Sequence, residues 1–190
     1  MIPDVSPATS PIACCLRDRR TVQSFLPTPP PPELIWQAIE LARWAPNHKL
    51  TEPWRFHVLG PETARAIVEL NAMQTSASKG PDAAELKRRK WSQIPGWLVV
   101  TLRKHSDPFR HEENYAAVCC AIQNLMLFLW SEGVGTKWAT GEVTRSAEFA
   151  QLLGIHSDQE QVVGLIWYGS AAQVPAATRT PVSEISQVHP

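Results

Sequence analysis

Apolar residues recur at helical spacing in some segments of this chain and run almost unbroken in others. Residues 33–44 put Leu34, Ile35, Ala38, Ile39 and Ala42 on one helical face. Ala45 precedes Pro46, and a residue before proline avoids the α region, so the helix stops there. WRFHVLG (54–60) alternates and ends in glycine, which predicts a strand. Pro61 opens another helix, expected to reach Leu70. Residues 75–90 are polar and basic, with KRRK at 87–90, and are expected to form a mobile loop or exposed helix with a solvated charge run. GWLVVTL (96–102) reads as a buried strand. Residues 115–132 read as a long buried helix closed by GVG (133–135), since glycine is usual just past a helix end. Thr144 is expected to cap a helix that closes at LLG (152–154), and QVVGLIWYGS (161–170) reads as a last apolar strand. A short helix is expected over 12–19. The Pro-rich residues 28–32 cannot be helix interior but suit a first turn.

Helices mixed with nearly continuous apolar strands predict a sheet covered on both faces. The 190 residues suit one domain, taken as 12–190, behind a loose Pro/Ser/Thr-rich tail over 1–11. Lys plus Arg equals Asp plus Glu at 18 each, so no global field favours nucleic acid or an anionic membrane, and any anion site is local. Residues 116–130 are too short for a comfortable membrane span and contain Gln123 and Asn124. The N-terminus lacks the basic and apolar regions of a signal peptide. The four cysteines form two adjacent pairs without C-x-x-C spacing, which disfavours zinc and suits a reducing compartment; Cys119 and Cys120 are expected to be small core hydrophobes. Eight tryptophans against two tyrosines point to aromatic core packing or to a pocket for something flat. No G-x-G-x-x-G, P-loop, Ser-His-Asp order, carboxylate pair or metal-spaced His cluster is visible.

Chemistry concentrates in three segments. In RDRRTVQSF (17–25), Arg19, Arg20 and Thr21 can supply many donors to a phosphate, because the planar guanidinium fork binds two oxygens at once. The competing reading is a helix end whose cations meet the dipole. WAPNHKLTEPWRF (44–56) is a non-helical, polar and aromatic segment with Asn47, His48 and Lys49. GVGTKWATG (133–141) combines glycines with Trp138 and Thr140, either as ligand-approaching backbone or as an ordinary turn after a helix.

In order, RRTVQSF, ARWAPNHK, EPWRFHVLG, EGVGTKWATG and LLGIHSDQEQVVGLIWYGS resemble the FMN-dependent nitroreductase family, especially its short members with an AP-[DN]-HK loop. The match runs from about Arg17 to Ser170. The resemblance implies an α+β flavoprotein with a central mixed or antiparallel sheet covered by helices. It implies a domain-entwined, cytoplasmic homodimer with FMN at the subunit interface. It assigns Arg19, Arg20 and Thr21 to FMN, the arginines chiefly through phosphate. Trp44 and His48 match flavin-contacting positions, and Trp138, Ala139 and Thr140 match the second flavin segment. Arg179 corresponds to a C-terminal basic residue near the phosphate. Ser131, Glu132 and Gly133 fall where the short members meet the nicotinamide nucleotide.

The implied activity is electron transfer from NAD(P)H through FMN to a nitroaromatic, quinone or similar small acceptor, by ping-pong kinetics. No catalytic side chain, metal, nucleic acid or membrane is implied, although Lys49 or His48 could donate a proton. Other chemistries on the same fold, such as enone reduction or flavin destruction, stay open, as do a flavin-storing protein and a purely structural role. Trp44 and Ala139 stand where relatives carry Arg, and Glu52 where Gln usually precedes Pro-Trp. Each change makes the site less cationic. The expectation is a lower flavin reduction potential or weaker FMN binding.

Overall fold

A computed structural model describes residues 8–189. Most of the expected 1–11 tail, and Pro190, lie outside the described residues. The chain folds as an antiparallel four-stranded sheet with helices on both faces. The strands are β1 (Trp54–Val58), β2 (Gly96–Arg103), β3 (Gly135–Ala139) and β4 (Glu160–Gly169), in the order β1-β2-β4-β3. Every pairing among these four strands is antiparallel, so of the two expected sheet types the antiparallel one is found.

The helices are α1 (Pro11–Asp18), α2 (Pro32–Ala42), α3 (Pro61–Lys79), α4 (Pro81–Trp91), α5 (Pro108–Ser131), α6 (Ala147–Leu152) and α7 (Val182–Ile185). The first five begin with proline, whose fixed φ suits a first turn and whose missing N–H would have no helical partner there. Alternation along the strands divides the core in two. Leu98, Val100, Ile166 and Tyr168 face α2 and α5, whereas Trp97, Val99, Leu165 and Trp167 face the side of α3, α4 and α6. On that second side Trp91, Trp97 and Trp167 form a tilted triad with ring centroids 4.9–5.8 Å apart. All three are packed in the core, and Trp91 and Trp167 also line a cleft on this side, so both expected roles of the tryptophans meet here.

Four expectations need correction. The helix expected to reach Leu70 runs nine residues further, and α4 follows after Gly80, whose φ of 86° makes the turn between them, so residues 75–90 take the helical one of their two expected forms. Their polarity reflects outer helix faces, while Thr75, Ala84 and Trp91 are buried. GTKWA is a strand, not merely a turn. Thr144 does not cap α6. It is buried in a 3-10 turn and donates to Gly141 O, and Ser146 is the cap, accepting from Phe149 N at 3.2 Å. Cys120 is exposed and Cys119 only half-buried, because Ala117 and Ala121 are the small residues of α5 that enter the core. No disulfide joins the four cysteines. By length and composition α5 could cross a membrane. Eight of its residues, from Asn114 to Leu129, are buried in the fold, which accounts for much of its apolar character.

Candidate functional site

The three arginines of RDRR do different things. Arg17 donates to Ala8 O at 2.8 Å and pairs with Asp18 at 3.3 Å. Arg20 donates through Nη1 to Arg17 O at 2.6 Å and Arg19 O at 3.0 Å, satisfying carbonyls that the end of α1 leaves open. This is the helix-end role. Arg19 has no such use. Its Nε is buried without a hydrogen-bond partner, and among the described residues no carboxylate pairs with Arg19, Arg20 or Arg179. Burial holds the Arg19 guanidinium below the usual arginine range, and the charges of Arg179 and Arg20 lower it further. An orphaned guanidinium donor with two further cations near it fits a phosphate.

Past α1 the chain lies along the edge of the sheet. Thr21 bridges Thr136 in parallel, Val22 N donates to Thr136 O at 2.9 Å, and Leu26 N donates to Ser170 O at 2.9 Å. Val22 is fully buried and meets Gly135, where a Cβ would lie 2.6 Å from its methyl group. The first and third segments are thereby joined. Ser131, Glu132 and Gly133 are exposed at the end of α5, just before β3, and Gly133 takes a positive φ of 76° to make the turn.

A cleft of about 890 Å³ opens on the α3–α4 side of β3. Its wall includes Trp138, Ala139 and Thr140, together with Gln23, Phe25 and Trp167. Four lysines, Lys79, Lys87, Lys90 and Lys137, line it, and among the described residues no carboxylate does. Trp138 turns its ring to the α2–α5 core and donates from Nε1 to Val163 O at 3.3 Å. Gly164 makes room for that indole: a Cβ there would lie 2.1 Å from Nε1. Trp167 Nε1, buried without a hydrogen-bond partner among the described residues, belongs to the cleft wall, whereas the equally unpartnered Arg19 Nε and Thr136 Oγ1 lie outside its lining.

Trp44 and His48 are elsewhere. They precede β1, at the opposite sheet edge from β3. Asn47 Oδ1 accepts from Glu52 N at 2.7 Å, and Thr51 Oγ1 donates to Asn114 Oδ1 on α5 at 2.7 Å. This network holds Lys49, Leu50 and Glu52 at φ values of 64°, 49° and 43°, a conformation that costs a side-chain-bearing residue about 1–2 kcal/mol. The strained loop leaves Leu50 81% and Trp44 72% exposed, with Arg43 over the Trp44 ring. His48 Nδ1 lies 2.9 Å from Glu113 Oε1 and from Arg110 Nη1. One chain therefore brings Arg19, Arg20, Thr21, Trp138, Ala139, Thr140 and Arg179 to one end of the molecule and leaves Trp44 and His48 apart.

Sequence reasoning missed Gln23, Lys137 and the cleft-lining lysines of α3 and α4. The signal for Lys137 was its spacing of two from Ala139, which puts both on one face once GTKWA is a strand. Residues 79–90 gave none, because a basic run reads the same on a solvated face as over a cleft.

The model of the nitroreductase family matches residues 16–170. YfhC of Bacillus subtilis strain 168, named as a putative NAD(P)H nitroreductase, is 31% identical over 174 residues, covering 89% of each chain. A nitroreductase-like family protein of Bacillus cereus superposes with a TM-score of 0.83 at 26% identity, over 98% of this chain and 99% of that one. A mutant of NfnB from Sphigopyxis sp. strain HMH, an FMN- and NADPH-dependent nitroreductase, reaches a TM-score of 0.77 at 17% identity, over 94% and 99% of the chains, a likeness of fold alone. On the family match across most of its length, the chain belongs to the nitroreductase family.

Proposed function

We propose that the protein is an NAD(P)H-dependent FMN oxidoreductase that works as a homodimer on a nitroaromatic, quinone or similar small acceptor. The observation that carries this reading is the uncompensated cluster of Arg19, Arg20 and Arg179 at the start of the strip whose Gln23 and Phe25 line the cleft together with Trp138, Ala139 and Thr140. Arg19 and Arg179 would hold the FMN phosphate with Thr21, while Arg20 is partly spent on the helix end. The strand segment 138–140 and the Trp167 wall would flank the ring and exclude water from one side. Bound FMN supplies two-electron exchange between a nicotinamide nucleotide and the acceptor. One cleft serving donor and acceptor in turn gives ping-pong kinetics. Ser131, Glu132 and Gly133 are the proposed contact for the nicotinamide nucleotide.

The dimer follows from the division of the site. Trp44 and His48 can complete a cleft only if a second copy brings them there. Their loop carries exposed Trp44 and Leu50, and exposed Trp36 and Phe109 add apolar surface on α2 and α5. The reading carries a cytoplasmic, reducing setting for a single FMN-binding domain from residue 12 onward.

The test is the visible spectrum of the protein after FMN incubation and desalting, followed by NADH or NADPH addition under argon. A retained flavin spectrum that bleaches and returns on adding a quinone is the expected result. Retained flavin that no nicotinamide nucleotide bleaches would leave a flavin-binding protein without reductase activity. A colourless protein would sink the reading.

A further inference from the structure

The lysine beneath the cleft is the most unusual group on this face. Lys137 lies on the same face of β3 as Ala139, because side chains two apart on a strand share a face. Its pairing partner on β4 is Trp167, and Nζ sits 4.7 Å from the centre of that ring. Gln23 Oε1 accepts a hydrogen bond from Nζ at 2.6 Å. Gln23 belongs to the strip that begins with Arg19, Arg20 and Thr21, so one side chain from the phosphate-binding segment aims the ammonium. An ion pair would normally hold such a half-buried cation, and none does among the described residues. Burial holds the ammonium below the usual lysine range, and Lys87 and Lys90 lower it further, so the charge has no local compensation. The indole Nε1 of Trp167 is buried and also without a partner. Cation, ring wall and open donor therefore meet in one place, beside the segment 138–140.

Resting on the functional reading above, we propose that Lys137, aimed by Gln23 across the Trp167 ring, is the cation this chain presents to the flavin ring, and that it favours the reduced, anionic ring over the oxidised, neutral one. Trp44 and Ala139 bring no charge, and Lys137 restores it two residues upstream of Ala139 on the same face. The less cationic site expected from those substitutions is thereby offset. The arginine cluster serves the phosphate and Lys137 serves the ring, so the two contributions are separable.

The experiment uses the full chain and its Lys137→Met and Lys137→Arg variants. Methionine keeps an apolar stem over Trp167, and arginine keeps the charge. Each protein is titrated with FMN and with riboflavin, which has the same ring and no phosphate, both oxidised and chemically reduced under argon. In Lys137→Met the reduced flavin should lose about ten-fold more affinity than the oxidised one. That ratio corresponds to a two-electron potential lower by about 30 mV. The loss should appear with riboflavin as well as FMN, and Lys137→Arg should recover most of it. Equal weakening of both redox forms, or a loss seen with FMN alone, would overturn the assignment. A wild type that binds FMN with an unchanged ratio in Lys137→Met overturns only this inference. A wild type that binds no flavin overturns the functional reading with it.

Discussion

Arg19→Met tests whether Arg19 holds a ligand or holds the fold. In the free protein Arg19 keeps a buried Nε without an acceptor and faces Arg20 and Arg179. An unpaired buried donor costs about 1–3 kcal/mol, and methionine removes it while keeping an extended stem. The free variant should therefore be as stable as the wild type, or more stable by about 1 kcal/mol, a rise of about 2–4 °C in Tm for a chain of this size. With FMN the order inverts. A charge-assisted contact to phosphate contributes about 1.5–3 kcal/mol, so its loss weakens Kd by about 10–150-fold. At FMN equal to about 100 times the wild-type Kd, the wild type gains about 2.7 kcal/mol. A variant weakened about 100-fold gains about 0.4 kcal/mol under the same conditions. The two melts should differ by roughly 5–9 °C in how far FMN moves them. Thermal unfolding with and without FMN measures this, and riboflavin should protect both proteins alike because it has no phosphate. A variant that melts well below the wild type without ligand, or that FMN protects equally, refutes the reasoning.

Other outcomes follow from the packing. Gly164→Ala should drive the Trp138 indole out of its slot, costing about 1–3 kcal/mol in urea unfolding and weakening flavin retention together. Trp97→Ala should cost about 3–5 kcal/mol by calorimetry, since Trp97 is 3% exposed and packs on both Trp91 and Trp167. Burial raises the Tyr168 phenol above its usual range, although a backbone contact to Trp97 opposes this. The fold therefore favours the protonated phenol. That contribution is complete below the unfolded value of about 10 and is lost as pH rises through the higher folded value. Stability measured in urea should fall above pH 10, and Tyr168→Phe should flatten the fall; an unchanged slope would remove Tyr168 as its cause.

Local rules made most of the fold legible. Pro46 and the glycines at 60, 133 and 154 mark real element ends, and the apolar runs at 96–102 and 161–170 are the two central strands. RDRR was legible only as two open readings, an anion site or a helix end, and Arg20 takes the helix-end role while Arg19 keeps a buried Nε without a partner. Errors arose where two readings share one pattern. The run 75–90 is polar because α3 and α4 turn single faces inward, and a narrow buried stripe is diluted by the residues around it. GTKWA is too short for alternation to show against its flanking glycines. No spacing rule could reveal that Trp44 and His48 sit across the sheet from Trp138, because strand order is set by long-range pairing.

The strip from Thr21 to Leu26 has a consequence for how the molecule assembles. It docks against β3 across a long stretch of chain, 114 positions separating Gln23 from Lys137. Closing so long a loop costs entropy that only late, cooperative contacts repay. The same strip shields part of an edge strand that would otherwise offer its backbone to another chain. Folding order, protection against aggregation and ligand capture thus meet in six residues. A flavin seated there would act as a latch on the completed molecule, and its loss should show first as slow opening of that edge in hydrogen exchange.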